Sequence, residues 1–378
     1  MRVKAFSALL QSAAMTTKSL PVLPSRESGG DPSANLYANF PSGWFVLSLS
    51  NELRRGELRT RRLAGRDVVL FRTESGQAAA VDPYCPHMGA HLGKGGCVQG
   101  ESIVCPFHAF RFAPDGKCVA TGYTSPPPPK MRVPSYPVRE THGLVLVWLG
   151  TAGEQPTFDV PDIDTEGWME PAYETYSLRG HPQETSENSV DLGHLAVVHG
   201  YKDVKVVREL RTDPGHLSVK YSMLRPYIQE LGFLGDFYTE FFINVIGLGY
   251  SRVEVDVPQL GMRTRHFVFA TPTDTERLEL KIGFAHEKIG KHTKGLPRAL
   301  SALPRAVADR VIRRLGMKAY SHDVLQDFDI WNNKRYVHPP QLAVGDGPIG
   351  AYRRWAKQFY PLLNPPTSNP AMGDAAAE

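Results

Sequence analysis

Up to about residue 156 the apolar positions fall in short continuous runs; beyond it they alternate with polar ones. Gly43-Trp44-Phe45-Val46-Leu47 reads as a buried strand, Val68-Val69-Leu70-Phe71 and Ala78 to Val81 as short strands with Gly76 between them. Leu144-Val145-Leu146-Val147-Trp148-Leu149 reads as a central strand. The basic stretch from Arg54 to Arg62, interrupted by Gly56, suits a solvated turn, and Ser125-Pro126-Pro127-Pro128-Pro129 a stiff extended connector. Residues 40–155 are therefore expected to form a small all-β domain. Further on, segments 216–221, 252–257, 264–269 and 278–284 read as strands, and 252–257 alternates strictly, as a half-buried antiparallel strand should. Helical patterns cover 184–199, 303–315 and 318–334. Residues 156–363 thus predict an α+β domain, an antiparallel sheet with helices packed on it. Residues 1–39 are expected to be an extension, disordered in part, and 364–378 a disordered tail. No internal repeat is evident.

Composition narrows the picture. The 378 residues have room for two domains, and 42% apolar with 22% charged residues is ordinary for a globular chain. A net charge of +4 is too small for nucleic-acid binding, though it suits docking of an acidic redox partner. Four cysteines make no disulfide framework, so a cytoplasmic location is expected. No apolar run is long enough for a transmembrane helix. Residues 1–26 carry Arg2, Lys4, Lys18 and Arg26 but no acid. That composition fits a transit peptide or a weak signal peptide around Ala5 to Ala14; a disordered extension, with Met15 as another start, is the expectation.

The chemistry concentrates in Cys85-Pro86-His87 and Cys105-Pro106-Phe107-His108. Each short loop offers one thiolate and one imidazole, and the 17 residues between His87 and Cys105 allow a strand out and a strand back. Two Cys on one iron and two His on the other is the ligand set of a Rieske [2Fe–2S] cluster. Zinc also takes four such donors, but its usual signature pairs Cys with Cys and His with His. A second set follows in Glu187-Asn188-Ser189-Val190-Asp191-Leu192-Gly193-His194 and His199. Asp191 and His194 would share a helix face; His194 and His199 would not, so joint binding of one ion needs a bend, for which Gly193 is the candidate.

Together these motifs resemble the Rieske non-haem iron oxygenases over roughly residues 40–362. The positions that carry a loop-tying disulfide in respiratory Rieske proteins are Ala90 and Phe107 here, which also favours the oxygenases. The resemblance implies an N-terminal Rieske domain and a helix-grip-like catalytic domain. It implies a mononuclear Fe(II) held by His194, His199 and a late carboxylate. Asp323, Asp327 and Asp329 are the candidates, and Gln326-Asp327 before Phe328-Asp329-Ile330-Trp331 favours Asp327. It makes Asp191 an electron-transfer bridge from a neighbouring subunit's cluster histidine, and Asn188 a polar residue near the iron. O2 becomes a cosubstrate. Electrons come from NAD(P)H through a separate ferredoxin or flavin reductase, since Gly247-Leu248-Gly249 fails the G-x-G-x-x-G pattern. A head-to-tail homotrimer follows by analogy. Gln326 to Lys334, Asp346-Gly347-Pro348-Ile349 and Tyr352-Arg353-Arg354-Trp355 are similar to the steroid branch, which includes 3-ketosteroid 9α-hydroxylase oxygenase components and cholesterol 7-desaturases. The expected activity is hydroxylation of a C–H bond on a steroid-like hydrophobic substrate. Desaturation or oxidative demethylation of a sterol, aromatic or alkaloid is the alternative, and a bare Rieske electron carrier the more remote one. The aromatics of 231–250, Phe233, Leu234, Phe237, Tyr238, Phe241 and Phe242 among them, suit either an apolar pocket wall or ordinary core.

Overall fold

The structure is a computed structural model that describes residues 18–19, 39–150, 154–225 and 236–360. The expectations for residues 1–26 and 364–378 fall outside these, apart from the backbone of Lys18 and Ser19, as do Phe233 and Leu234.

The first part is built from three antiparallel sheets. One has the order Ser135–Tyr136, Ala78–Val81, Arg66–Arg72, Leu58–Leu63; the next Val138–Thr141, Leu144–Leu149, Gly43–Leu49; the third runs in sequence from Cys97–Gln99 through Ser102–Val104 and Arg111–Phe112 to Cys118–Ala120. The basic stretch turns only at Arg55 and Gly56; from there Leu58–Leu63 is an edge strand, keeping its arginines at the rim while Leu63 reaches the core. The continuous apolar runs have a simple cause. Val68 and Leu70 face one core with Phe45, Leu47 and Val147, while Val69 and Phe71 face a second core under the Cys85 and Cys105 loops. Likewise Val145 and Val147 point inward, and Leu144, Leu146 and Trp148 point onto the second part of the chain. With both faces buried, no polar position survives in these strands.

In the second part, β1 (Ala172–Arg179), β2 (Lys202–Asp213), β3 (His216–Arg225), β4 (Phe237–Ile246), β5 (Tyr250–Val257), β6 (Met262–Asp274) and β7 (Arg277–His286) form one antiparallel sheet in the order β1-β7-β6-β5-β4-β3-β2. The Lys18–Ser19 pair adds parallel to β1 at the edge. Alternation decides the two faces. Tyr250, Phe267 and Phe269 pack against Trp44, Leu146 and Trp148 of the first part. Leu278, Leu280, Ile282 and Phe284 face the helices.

The helices are α1 (Pro182–Glu187) and α2 (Leu192–Val197), between β1 and β2, then α3 (Arg298–Ser301), α4 (Arg305–Leu325), α5 (Phe328–Asn333) and α6 (Ile349–Ala356). Helix α4 lies over β7 and β1 through Met317, Tyr320 and Val324. Two expected helices, 303–315 and 318–334, prove to be divided elsewhere. Gly316 does not end a helix; it sits within α4 because a Cβ there would collide with the Phe284 ring. The real break is at Gln326 and Asp327. Among the described residues no helix is long and apolar enough to cross a membrane.

Candidate metal centres and an apolar pocket

The two Cys/His loops are folded alike. Cys85 N donates to Ala90 O and Gly89 N to Cys85 O, at 2.9 Å each; Cys105 N donates to Phe110 O at 2.8 Å and Ala109 N to Cys105 O at 3.1 Å. Gly89 and Ala109, each four residues after its cysteine, both take positive φ, so the same tight turn brings each histidine back over its cysteine. Both thiols are buried and in contact, and burial above all pushes Cys85 up to about 11. The His87 and His108 rings lie 4.7 Å apart, edge to face, and His87 stacks on Phe110 at 4.4 Å. Among the described residues their buried Nδ1 atoms have no hydrogen-bond partner. Two orphaned imidazole nitrogens beside two buried thiols make the donor set that a [2Fe–2S] cluster of this type takes.

The second set forms where the 184–199 segment breaks. The break is not at Gly193, which lies inside α2, but at Asp191, whose extended backbone (φ −83°, ψ 105°) caps that helix. Asp191 therefore shares no helix face with His194; its carboxylate accepts from His194 N at 3.1 Å. The loop behind holds the break open: Leu192 N donates to Asp346 O at 3.2 Å, and Gly347 (φ +86°) leaves no room for a Cβ against Val190 O. Helix α1 is anchored beneath by Glu187, which accepts two hydrogen bonds from Arg353 at 2.6 and 2.8 Å. At the far end Gly200 (φ +69°) turns the chain, Tyr201 N bonding to Leu195 O, and His199 swings beside His194 with ring centroids 5.1 Å apart.

The break after α4 delivers the third donor. Donor atoms of His194, His199 and Asp327 all lie within 4.8 Å of one another, with His199 Nε2 3.6 Å from Asp327 Oδ2. Each histidine is oriented through its other nitrogen. His194 Nδ1 donates to Asp191 O at 2.6 Å, and His199 Nδ1 to Gln326 Oε1 at 2.9 Å. Both tautomers leave Nε2 bare, the form a metal ligand needs. Burial raises Asp327 to about 6 and lowers His194. The other two aspartates go elsewhere: Asp329 is exposed on α5, and Asp323 pairs with Arg225 and accepts from Tyr201 OH at 3.3 Å. Asn188 ends α1 half-buried. Gln326 and Arg225 received no role from the sequence, because only the fold carries them to the site.

An apolar cavity of about 80 Å³ lies between the sheet and α4, the helix whose end leads into Asp327. Its walls include Val255, Met262, Phe284, Leu300 and Ile312, together with Tyr320 and with Arg225, which pairs with Asp323. A ring series links His199 to the cavity: His199 to Tyr201 (5.7 Å), Tyr201 to Phe241 (5.8 Å), Phe241 to His266 (6.5 Å). Of the apolar residues in 236–250, Phe237 lines the pocket; Phe241, Ile243 and Val245 belong to the core under α6.

Comparison with known proteins agrees with this geometry. Residues 43–137 match the Rieske [2Fe-2S] domain, and residues 147–360, more than half of the chain, match the 3-Ketosteroid 9alpha-hydroxylase C-terminal domain. The chain is 29% identical to cholesterol 7-desaturase nvd 1 of Ciona intestinalis over 86% of its own length and 70% of that protein. It is 28% identical to a probable 3-ketosteroid-9-alpha-monooxygenase oxygenase component of Rhodococcus rhodochrous, over 85% and 80%. Dicamba monooxygenase bound to dicamba superposes with a TM-score of 0.64 at 19% identity, over 86% of this chain and 98% of that one, a likeness of fold. The chain therefore belongs to the Rieske non-haem iron oxygenases, in the family of the 3-ketosteroid 9alpha-hydroxylase C-terminal domain, with a [2Fe–2S] cluster, a mononuclear iron and O2 as its chemical equipment.

Proposed function

We propose that this chain is the terminal oxygenase of a multicomponent monooxygenase that hydroxylates a C–H bond of a steroid-like polycyclic substrate. The observation that carries the reading is an apolar pocket walled by α4, the helix whose end also brings Asp327 to His194 and His199. Iron on these three side chains would keep open positions and supply the oxidative chemistry. The chain's own part is to seat the substrate and exclude water. Cys85, His87, Cys105 and His108 would hold the cluster, and electrons would reach it from NAD(P)H through a separate ferredoxin or flavin reductase. Asn188, half-buried beside the break, would be a polar neighbour of the iron.

Exposed apolar groups support a head-to-tail trimer. Tyr84, Met88, Phe107 and Tyr123 stand around the cluster loops, and Val197, Leu325 and Ile330 around the iron ligands. Such patches ask for cover, and each would cover the other. Asp191, with a side chain 32% exposed, would then bridge His194 and the neighbouring subunit's cluster histidine. Desaturation is the second reading, favoured by the desaturase relatives, since the nearest C–H sets the outcome.

The test is product mass from a panel of sterols and 3-ketosteroids with NADH and a surrogate ferredoxin and reductase. Gain of one oxygen supports the hydroxylase and loss of two hydrogens the desaturase. No product from any steroid, with both metals loaded and the cluster reducible, removes the steroid reading. Asp191→Ala should keep both metals and stop turnover; an unchanged rate would remove its bridging role.

A further inference from the structure

The pocket is apolar but for five side chains among the described residues: Arg225, Thr239, Thr264, His266 and Tyr320. Three of them are already engaged. Arg225 pairs with Asp323. Thr239 donates to Met223 O at 3.3 Å, and Tyr320 to Phe267 O at 3.3 Å. The remaining two hold only each other, Thr264 Oγ1 lying 3.1 Å from His266 Nε2. They sit two residues apart on β6, so their side chains share the pocket face of the sheet. The imidazole is fixed by its rings, with Tyr320 at 4.3 Å and Phe284 at 5.4 Å. Its Nδ1 has no hydrogen-bond partner among the described residues, on a ring that lines the cavity. Burial, then the Arg225 charge, holds His266 down to about 3, so the ring is neutral throughout the working range of pH.

A neutral imidazole has two tautomers. With Thr264 donating to Nε2, Nδ1–H donates to a ligand. With Nε2–H donating to Thr264, Nδ1 accepts. We infer that Thr264 and His266 read a single neutral oxygen on an otherwise apolar polycyclic substrate, donating to a ketone or accepting from a hydroxyl through an exchange of tautomer. The inference rests on the steroid reading of the pocket and adds which part of the substrate is recognised.

The experiment is equilibrium binding of androstanone, androstanol and the hydrocarbon androstane to the holoenzyme, together with the infrared C=O stretch of bound androstanone. One hydrogen bond from a dry site should favour each oxygenated steroid over androstane by about tenfold. His266→Phe keeps the ring packing and should erase that preference, the three steroids then binding alike. Thr264→Val should shrink it, and the bound C=O stretch should lie below its value in an apolar solvent. An undiminished preference in His266→Phe overturns the inference and leaves the steroid reading standing. No binding of any of the three removes the steroid reading and the inference with it. Should His266→Phe fail to fold by circular dichroism, the decision passes to Thr264→Val and the stretch: an unchanged preference with an unshifted band overturns the inference.

Discussion

Removing the Gln326 side-chain oxygen tests how the proposed iron ligand His199 is held. His199 is fixed at Nδ1 by a 2.9 Å hydrogen bond to Gln326 Oε1, and that bond selects the tautomer with a bare Nε2. Gln326→Leu keeps length and helix propensity while deleting the acceptor. Loss of such an orienting partner weakens metal binding by roughly 10–100-fold. Gln326 is exposed, so water competes for the bond and the low end applies: about tenfold, or about 1.4 kcal/mol. The assay is iron titration of protein stripped of its mononuclear metal, with the visible spectrum of the cluster as internal control. Iron affinity should fall about tenfold in Gln326→Leu, recover in Gln326→Glu, and leave the cluster spectrum untouched. A Gln326→Leu protein that binds iron as tightly as the wild type would refute the reasoning, because packing alone would then be orienting His199.

Arg353→Met strands the buried Glu187 carboxylate and should cost about 3–5 kcal/mol in urea unfolding; adding Glu187→Gln should restore part of it. Gly316→Ala drives a methyl into the Phe284 ring, and overpacking of about 1–3 kcal/mol should exceed the ~1 kcal/mol that helix propensity returns, lowering the urea midpoint. His181 caps α1 with Nδ1 accepting from Gln183 N and Nε2 donating to Asn39 O, an arrangement that requires the neutral ring. Burial lowers it from 6.5 to about 4, so between these values the unfolded chain binds the extra proton and stability falls as pH falls. The loss should total about 3 kcal/mol and be missing from His181→Asn, a difference that urea midpoints at pH 7 and pH 4 would reveal.

The sequence by itself determined what is local. Each cluster loop closes within six residues, so the Cys85/His87 and Cys105/His108 spacings express their chemistry without help from the rest of the fold. Strict alternation over 252–257 follows from a strand with one face on the pocket side, and the unbroken runs at 68–71 and 144–149 from strands covered on both faces. The tertiary structure decided what is long-range. Helix pattern did not reveal the break at Asp191, because it is held by Asp346 and Gly347 from far along the chain. The gap between the expected helices 303–315 and 318–334 is instead helical, and Gly316 in it marks a close approach of α4 to Phe284. His199 and Gln326 meet across 127 residues, and which of three neighbouring aspartates comes within ligand distance of His199 depends on where α4 stops. Periodicity records the environment of one face of one element; it carries no record of which side chains from separate elements converge on one point.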